Sequence, residues 1–377
     1  MKKRIFYYLS LSLLFLYACK NDDNTGRAIE NPSNLSFTLE EDTNNLGTVI
    51  VNATADKANF YSFRFYDIGK SMASEAQEGN ATYAFSESGT YQVTVRAHTT
   101  YDHFIEQSQS ITLRFGVPGN NGNAPSTGYT SPMTYANRNL VWNEEFNGST
   151  LNTTDWNYEI GTGPSNNGWG NNELQYYRQE NTSVANGILT IEAKDDFFGG
   201  SRYTSSRITT QGKKSYQYGR IDVRAGMPYG QGIWPAIWML GNSFPTSGWP
   251  FCGEIDIMEM VGGNVSGGGD NITHGTAHWA DINGNHAQFG ASKKLNRGSL
   301  ADEWHVYSIE WDSTKIEWYF DDKKYHELDI TPAELTEFNQ PFFFILNVAV
   351  GGDWPGPPDN TTTYPQKMFV DYVRVFQ

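Results

Sequence analysis

Apolar and polar residues alternate along this chain in short runs. Thr48-Val49-Ile50-Val51, Tyr61-Ser62-Phe63-Arg64-Phe65 and Tyr91-Gln92-Val93-Thr94-Val95 repeat with a period near two, with turn residues between them. A period of two places one side chain in three dimensions inward and the next outward, which predicts strands. The runs from Leu35 to Phe115 predict a small β-sandwich, assigned to residues 34–116. Residues 117–135 are rich in Gly, Asn, Pro and Ser and read as a linker. Strand-like runs resume beyond it, among them Ile188 to Ala193, Gly219 to Arg224 and Lys315 to Phe320. No long amphipathic helix interrupts them. Residues 136–377 therefore predict a second, larger all-β domain of two packed sheets.

Composition narrows the partners. The chain carries 27 Lys+Arg against 42 Asp+Glu, a net charge of −15. Phosphate-rich partners need cationic surfaces, so nucleic acid is disfavoured. All 11 Trp fall at or after Trp142. Whatever the tryptophans do belongs to the second domain, and the first reads as a spacer without a stacking platform. Trp142, Trp304, Trp311 and Trp318 sit within strand patterns and are expected in the core.

The start reads Met1-Lys2-Lys3-Arg4 and then an apolar run from Ile5 to Ala18. A basic start with a short apolar stretch is a secretory signal, too short to span a bilayer. Leu16-Tyr17-Ala18-Cys19 resembles a bacterial lipobox, which implies cleavage after residue 18 and a lipid on Cys19. Lys20-Asn21-Asp22-Asp23 resembles the surface-export signal of some outer-membrane lipoproteins. Residues 19–33 read as a polar tether. The expectation is a secreted protein, lipid-anchored to the outer membrane and exposed at the cell surface. It touches membrane through the anchor alone. The stretch from Tyr83 to Val95 resembles PKD-type modules. Cys252, the other cysteine, reads as a small apolar residue.

The chemistry concentrates in Gly253-Glu254-Ile255-Asp256-Ile257-Met258-Glu259. In a regular strand Glu254 and Asp256 share a face and Glu259 points the other way. A β-bulge at Ile257-Met258 returns Glu259 to the acidic face and leaves Ile255 and the bulge residues for the core. Three acids on one face repel, which is destabilising unless protons are shared or a function retains them. Glycoside hydrolysis uses such a set: one carboxylate attacks or stabilises, and one carboxylic acid protonates the leaving oxygen. Glu254 is assigned as nucleophile and Glu259 as acid/base. Asp256 is expected to position Glu254 and to raise the pKa of Glu259.

The run resembles the bulged signature of glycoside hydrolase family 16. Trp234 to Leu240, Asn171 to Tyr177, Ser206-Arg207-Ile208, His274 to Trp279 and Asn347 to Gly356 are similar to further stretches of that family, in order. The resemblance implies a β-jelly roll with an open cleft, retaining hydrolysis and no catalytic cofactor. It implies sugar contacts by Trp234, Trp238, Trp249, Asn172, Glu173, Arg207, His278 and Asn347. It also implies a structural Ca²⁺ held by the carbonyls of Glu145 and Gly187 and the side chain of Asp371, oxygen ligands suited to that ion.

The function expected is endo-hydrolysis of a β-1,3-glucan of laminarin type by a monomer. Mixed-linkage β-1,3-1,4-glucan is the first alternative. Agarase- and porphyranase-type galactan hydrolysis follows, disfavoured by 17 Lys+Arg against 29 Asp+Glu from Arg138 onward. A non-catalytic sugar-binding lipoprotein would have no use for three acids on one strand face.

Overall fold

The computed structural model describes residues 29–42, 47–67, 70–85, 89–113, 122–263, 265–296 and 298–377. The secretory stretch, Cys19 and most of the tether lie outside the described residues. Among the described residues, no helix is long and apolar enough to cross a membrane.

The alternating runs of the first third form two antiparallel sheets. Ser33–Glu41, Thr48–Asp56 and Asn80–Ala84 make one of three strands. Lys70–Ala76, Phe60–Asp67, Gly89–Thr100 and His103–Leu113 make one of four. The inward set, including Phe37, Val49, Val51, Phe63, Phe65, Val93 and Val95, forms a shared core. The period-two reading of this module holds in its three quoted runs.

The second region is a sandwich of a ten-stranded and a seven-stranded sheet. The seven-stranded inner sheet runs, edge to edge, through His286–Lys294, Ile272–Ala280, Glu254–Glu259, Ile233–Gly241, Phe342–Val350, Arg207–Thr209 and Asn157–Glu159. All its pairings are antiparallel. Its inward residues, such as Ile237, Met239, Ile255, Leu346 and Val348, pack against Ile221, Val223, Ile309 and Val373 of the outer sheet. Burying this much apolar surface at ~25 cal/mol per Å² is the main source of stability. Trp142, Trp304, Trp311 and Trp318 are buried, as their strand positions imply. Cys252 is fully buried in a small apolar cluster with Leu240, Phe343 and Ile345.

The linker is shorter than its composition suggests. From Gly122 onward the segment lies on the second region. Tyr129 N–H donates to the Trp304 carbonyl at 2.8 Å, and Trp304 N–H donates to the Thr127 carbonyl at 2.8 Å. Ser131 N–H donates to the Tyr372 hydroxyl at 2.9 Å. Gly128 makes this approach possible: a Cβ there would sit 2.1 Å from the Trp304 carbonyl oxygen. Gly, Pro and Ser here serve close backbone packing, and composition cannot distinguish that from a free tether.

Candidate active site

The site stands on the strand Glu254–Glu259. Its register shows why the three acids face the same way. Asp256 pairs with Trp238 and Met258 with Ile237, so Ile257 is the extra residue. On the other side, Asp256 pairs with Thr276 and Glu259 with His274. The bulge falls where the spacing of acids and apolar residues required it. Ile255, Ile257 and Met258 are buried in the core. Glu254, Asp256 and Glu259 turn to the open face of the sheet.

Burial dominates the electrostatics. It pushes the Glu254 carboxyl up to about 8, with Asp256 adding to the rise and His278 opposing it. Burial likewise pushes Glu259 up to about 7, with His278 and the Trp234 N–H pulling it down and Glu254 raising it. Asp256 is raised well above the ordinary carboxylate range by burial and by Glu259. Asp256 and Glu259 repel each other, so a charge on either raises the proton affinity of the other, and Glu254 adds to the rise at Glu259.

The sheet's neighbouring strands supply the partners. Trp234 Nε1 donates to Glu259 Oε1 at 3.0 Å. His278 Nε2 lies 2.9 Å from Asp256 Oδ2 and 3.9 Å from Glu254 Oε1. Trp249 is 45% exposed, its ring 6.4 Å from that of His278. An exposed indole beside the acids is a surface on which an apolar sugar face can stack. Glu254, Asp256 and His278 bring potential ligand atoms within 4.8 Å of one another.

The remaining expected residues form a connected patch further along the sheet. Trp238 Nε1 donates to Asn347 Oδ1 at 2.8 Å, and Asn347 Nδ2 donates to the Tyr177 hydroxyl at 3.1 Å. Tyr177 and Gln175 both donate to Glu173 Oε2, while Asn171 donates to Oε1. Glu173 is thus buried and already hydrogen-bonded by its own segment. Arg207 Nε donates to Glu159, with its guanidinium 4.5 Å from the Trp169 ring centre and 4.9 Å from that of Trp238. Asn172 is exposed and donates to both carboxylate oxygens of Asp353. The patch ties Trp238, Asn347, Glu173 and Arg207 into one rigid wall, and leaves Asn172 at its rim.

The three positions that the resemblance implies for calcium lie near one another at the outer sheet. Leu189 and Glu144 pair with Val370 and Val373, on either side of Asp371. A Cβ on Gly187 would lie 3.9 Å from the Glu145 carbonyl oxygen. Asp371 Oδ2 accepts from Arg224 Nη1 at 2.7 Å, and the Glu145 carboxylate is taken by Arg374. That leaves the two carbonyls and Asp371 Oδ1, hard oxygen donors that fit Ca²⁺.

The sequence profile described as Glycosyl hydrolases family 16 matches residues 169–374, which hold Glu254, Asp256 and Glu259. The chain belongs to that family. It is a glycoside hydrolase. Family 16 relatives agree with the sandwich just described. A protein named Beta-glucanase from Rhodothermus marinus is 41% identical over 63% of this chain and 85% of its own length. Glucan endo-1,3-beta-glucosidase A1 from Niallia circulans is 37% identical over 67% of this chain, which spans only 40% of that protein. Among solved structures, the laminarinase catalytic domain from Thermotoga maritima superposes with a TM-score of 0.58 at 45% identity. It covers 64% of this chain and 98% of that one.

Several site residues escaped the sequence reading. Trp354 stands edge-on to Trp234 at 5.8 Å and to His274 at 4.9 Å, completing an aromatic wall beside Glu259. Trp354 lies in the quoted Asn347 to Gly356 stretch, so the signal was present. Tyr177 likewise ends the quoted Asn171 to Tyr177 stretch, whereas Trp169 joins the site through Arg207, a contact from a distant segment. His286 had no signal at all, being a single histidine in a polar strand.

Proposed function

We propose that this protein is a retaining endo-hydrolase of β-1,3-linked glucan of laminarin type. The observation that carries the reading is the bulged strand, which gathers Glu254, Asp256 and Glu259 on one face under a tryptophan-bonded Glu259. The names of the relatives, Beta-glucanase, Glucan endo-1,3-beta-glucosidase and laminarinase, support the glucan as substrate.

Glu254 attacks the anomeric carbon while Glu259 gives its proton to the leaving glycosidic oxygen. The bond to the aglycone breaks and a glycosyl ester on Glu254 forms. Glu259, now ionised, takes a proton from water as that water attacks the same carbon and releases Glu254. Asp256, beside Glu254 on the same strand face, positions that carboxylate for attack. Trp249 and Trp234 line the sugar path, and the wall of Trp238, Asn347, Arg207, Glu173 and Asn172 shapes its far end. Asn172, at the rim, is placed to trade its Asp353 bond for a sugar hydroxyl.

Incubation with laminarin, barley mixed-linkage glucan, agarose and xyloglucan, with the products sized, tests this reading. Early release of oligosaccharides of several lengths from laminarin is expected. Cleavage of agarose alone would overturn the substrate. Mixed-linkage glucan is the second reading, favoured by the same open sheet face and by the name Beta-glucanase.

Glu145, Gly187 and Asp371 would hold a structural Ca²⁺ away from the chemistry. Chelation is then expected to lower the melting temperature without changing the product pattern. The lipobox-like Cys19 would place the enzyme at the outer-membrane surface as a monomer. Metabolic labelling with a fatty-acid analogue, lost in Cys19→Ala, checks the anchor.

A further inference from the structure

Two strands from the catalytic one, His286 begins the edge strand of the inner sheet. Its ring stacks on that of His278 with centres 5.0 Å apart. His278 Nδ1 and His286 Nε2 are 2.8 Å apart. The other nitrogen of His278, Nε2, is 2.9 Å from Asp256 Oδ2. A line of close contacts thus runs from the buried acids, through two hydrogen-bonded imidazoles, to an exposed ring. Trp249 packs on that last ring at 4.6 Å.

The proton count along this line is constrained. A neutral imidazole carries one N–H and one lone pair. If His278 Nε2 carries its proton toward Asp256, Nδ1 must accept. His286 Nε2–H is the donor in place. The bond made by one ring nitrogen sets which tautomer the ring adopts, as second-sphere partners do for other functional histidines. Without His286, the opposite tautomer would turn a lone pair toward the carboxylates.

We propose that His286 is a positioning residue, which fixes the tautomer and orientation of His278 so that its Nε2–H faces Asp256 and Glu254. The inference rests on the roles proposed for Glu254 and Glu259. His286 touches neither glucan bond nor reacting atom and acts only through His278.

The consequence is electrical. His278 lowers the proton affinity of both Glu254 and Glu259. A ring released from His286 exerts less of that pull, so the acids keep their protons to higher pH. The other titratable groups that bear on this set are Cys252, raised by burial and by Glu254, and Tyr325, raised by burial and by Asp256. Neither touches His286 among the described residues.

The test uses the full chain and the variants His286→Phe and His286→Gln. Phe keeps a ring under Trp249 and removes the hydrogen bond. Gln restores an N–H donor without a ring. Two readouts are taken: kcat/KM against pH on the glucan that the parent hydrolyses, and the tautomer of His278 by nitrogen-15 NMR of the substrate-free protein. In the parent, His278 should carry its proton on Nε2. In His286→Phe the fixed tautomer should be lost and the acid limb should move up by about half a pH unit, roughly a threefold loss on that limb. His286→Gln should recover both. An unchanged tautomer and limb in His286→Phe would overturn the proposal. Equal shifts in Phe and Gln would also overturn it, because the loss would then be one of ring packing. If the parent cleaves no glucan, the proposed substrate fails, and the NMR readout still decides the role of His286.

Discussion

Trp318, on the outer sheet, donates from its indole Nε1 to the main-chain carbonyl of Asp256 at 2.8 Å. The bond crosses the core and holds the catalytic strand one residue before the bulge. A net gain of ~1 kcal/mol is ordinary for such a bond, and leaving the buried carbonyl unpaired costs more. Gly275 keeps the space that the indole needs. A Cβ there would fall 2.4 Å from the indole Cδ1 and 2.5 Å from the Tyr325 hydroxyl. Gly275→Ala is therefore expected to displace Trp318. Overpacking of this kind costs on the order of 1–3 kcal/mol. The melting temperature should fall by several degrees, and kcat should fall more than KM changes. A variant as stable and active as the parent would separate the core contact from the geometry of the acids.

The proposed mechanism gives Glu254 and Glu259 different tasks, and substitution separates them. Glu254→Ala should abolish turnover on every substrate. Glu259→Ala should still form the glycosyl enzyme from aryl glycosides with good leaving groups, which need no proton. Azide should then rescue turnover of Glu259→Ala and yield a β-azide. An α-azide should arise from Glu254→Ala. The reverse pattern between the two variants would exchange the assignments.

The pH profile follows from burial. In the proposed mechanism Glu254 must be ionised to attack and Glu259 protonated to donate. Burial raises Glu254 to about 8 and Glu259 to about 7, both above the ordinary 4.5. The acids titrate as one set, so the limbs of kcat/KM belong to the set. A bell with its maximum near neutrality is expected, already falling on the acid side below pH 6. A maximum at pH 5 or lower would show that these carboxylates titrate like exposed ones.

How much of this was legible in the chain depended on whether the cause was local. The bulge could be read because acids and apolar residues conflict over only six positions, and one inserted residue resolves the conflict. The core tryptophans could be read from strand periodicity. Trp234 was found, but not its bond to Glu259, because that bond joins two strands whose register is set by the whole sheet. Glu173 illustrates the opposite case. Its motif marks it for sugar, yet three residues of its own segment occupy its oxygens. The stretch after Gly122 was hidden by composition, since glycine suits a free tether and a tight approach equally. His286 meets His278 diagonally across one hairpin, and only the pairing register, which sequence alone does not fix, sets that contact.

The same burial that tunes the acids destabilises the fold at high pH. A carboxyl with a raised folded pKa binds its proton more tightly in the native state than in the unfolded chain. Stability then declines as pH rises from about 4.5 toward 8, and below that range the cost disappears. Glu254→Gln removes a titrating group without removing its shape. It should raise the melting temperature at pH 8 by a few degrees, corresponding to on the order of 1–3 kcal/mol, and change little at pH 4.5. Equal effects at both pH values, measured by calorimetry, would point to packing as the cause.

Stereochemistry is the sharpest consequence of placing both glutamates on one strand. An inverting enzyme seats a water between its carboxylates and holds them roughly 6.5–9.5 Å apart, whereas a retaining enzyme holds them roughly 5–5.5 Å apart. Glu254 and Glu259 belong to one strand with a single extra residue, Ile257, between the paired positions. They are near enough for the charge of Glu254 to raise the proton affinity of Glu259. That coupling suits the two steps. While Glu254 is anionic, Glu259 keeps the proton that it must give to the leaving oxygen. Once Glu254 becomes a neutral ester, the repulsion ends and Glu259 stays ionised, ready to deprotonate water. Attack from the same side that the first sugar left then restores the β configuration. Proton NMR in the first minutes of laminarin hydrolysis should show the β-anomer ahead of the α, with mutarotation following. If the α-anomer forms first, direct attack by Glu254 is ruled out, and the pairing of these two residues as nucleophile and acid/base falls with it.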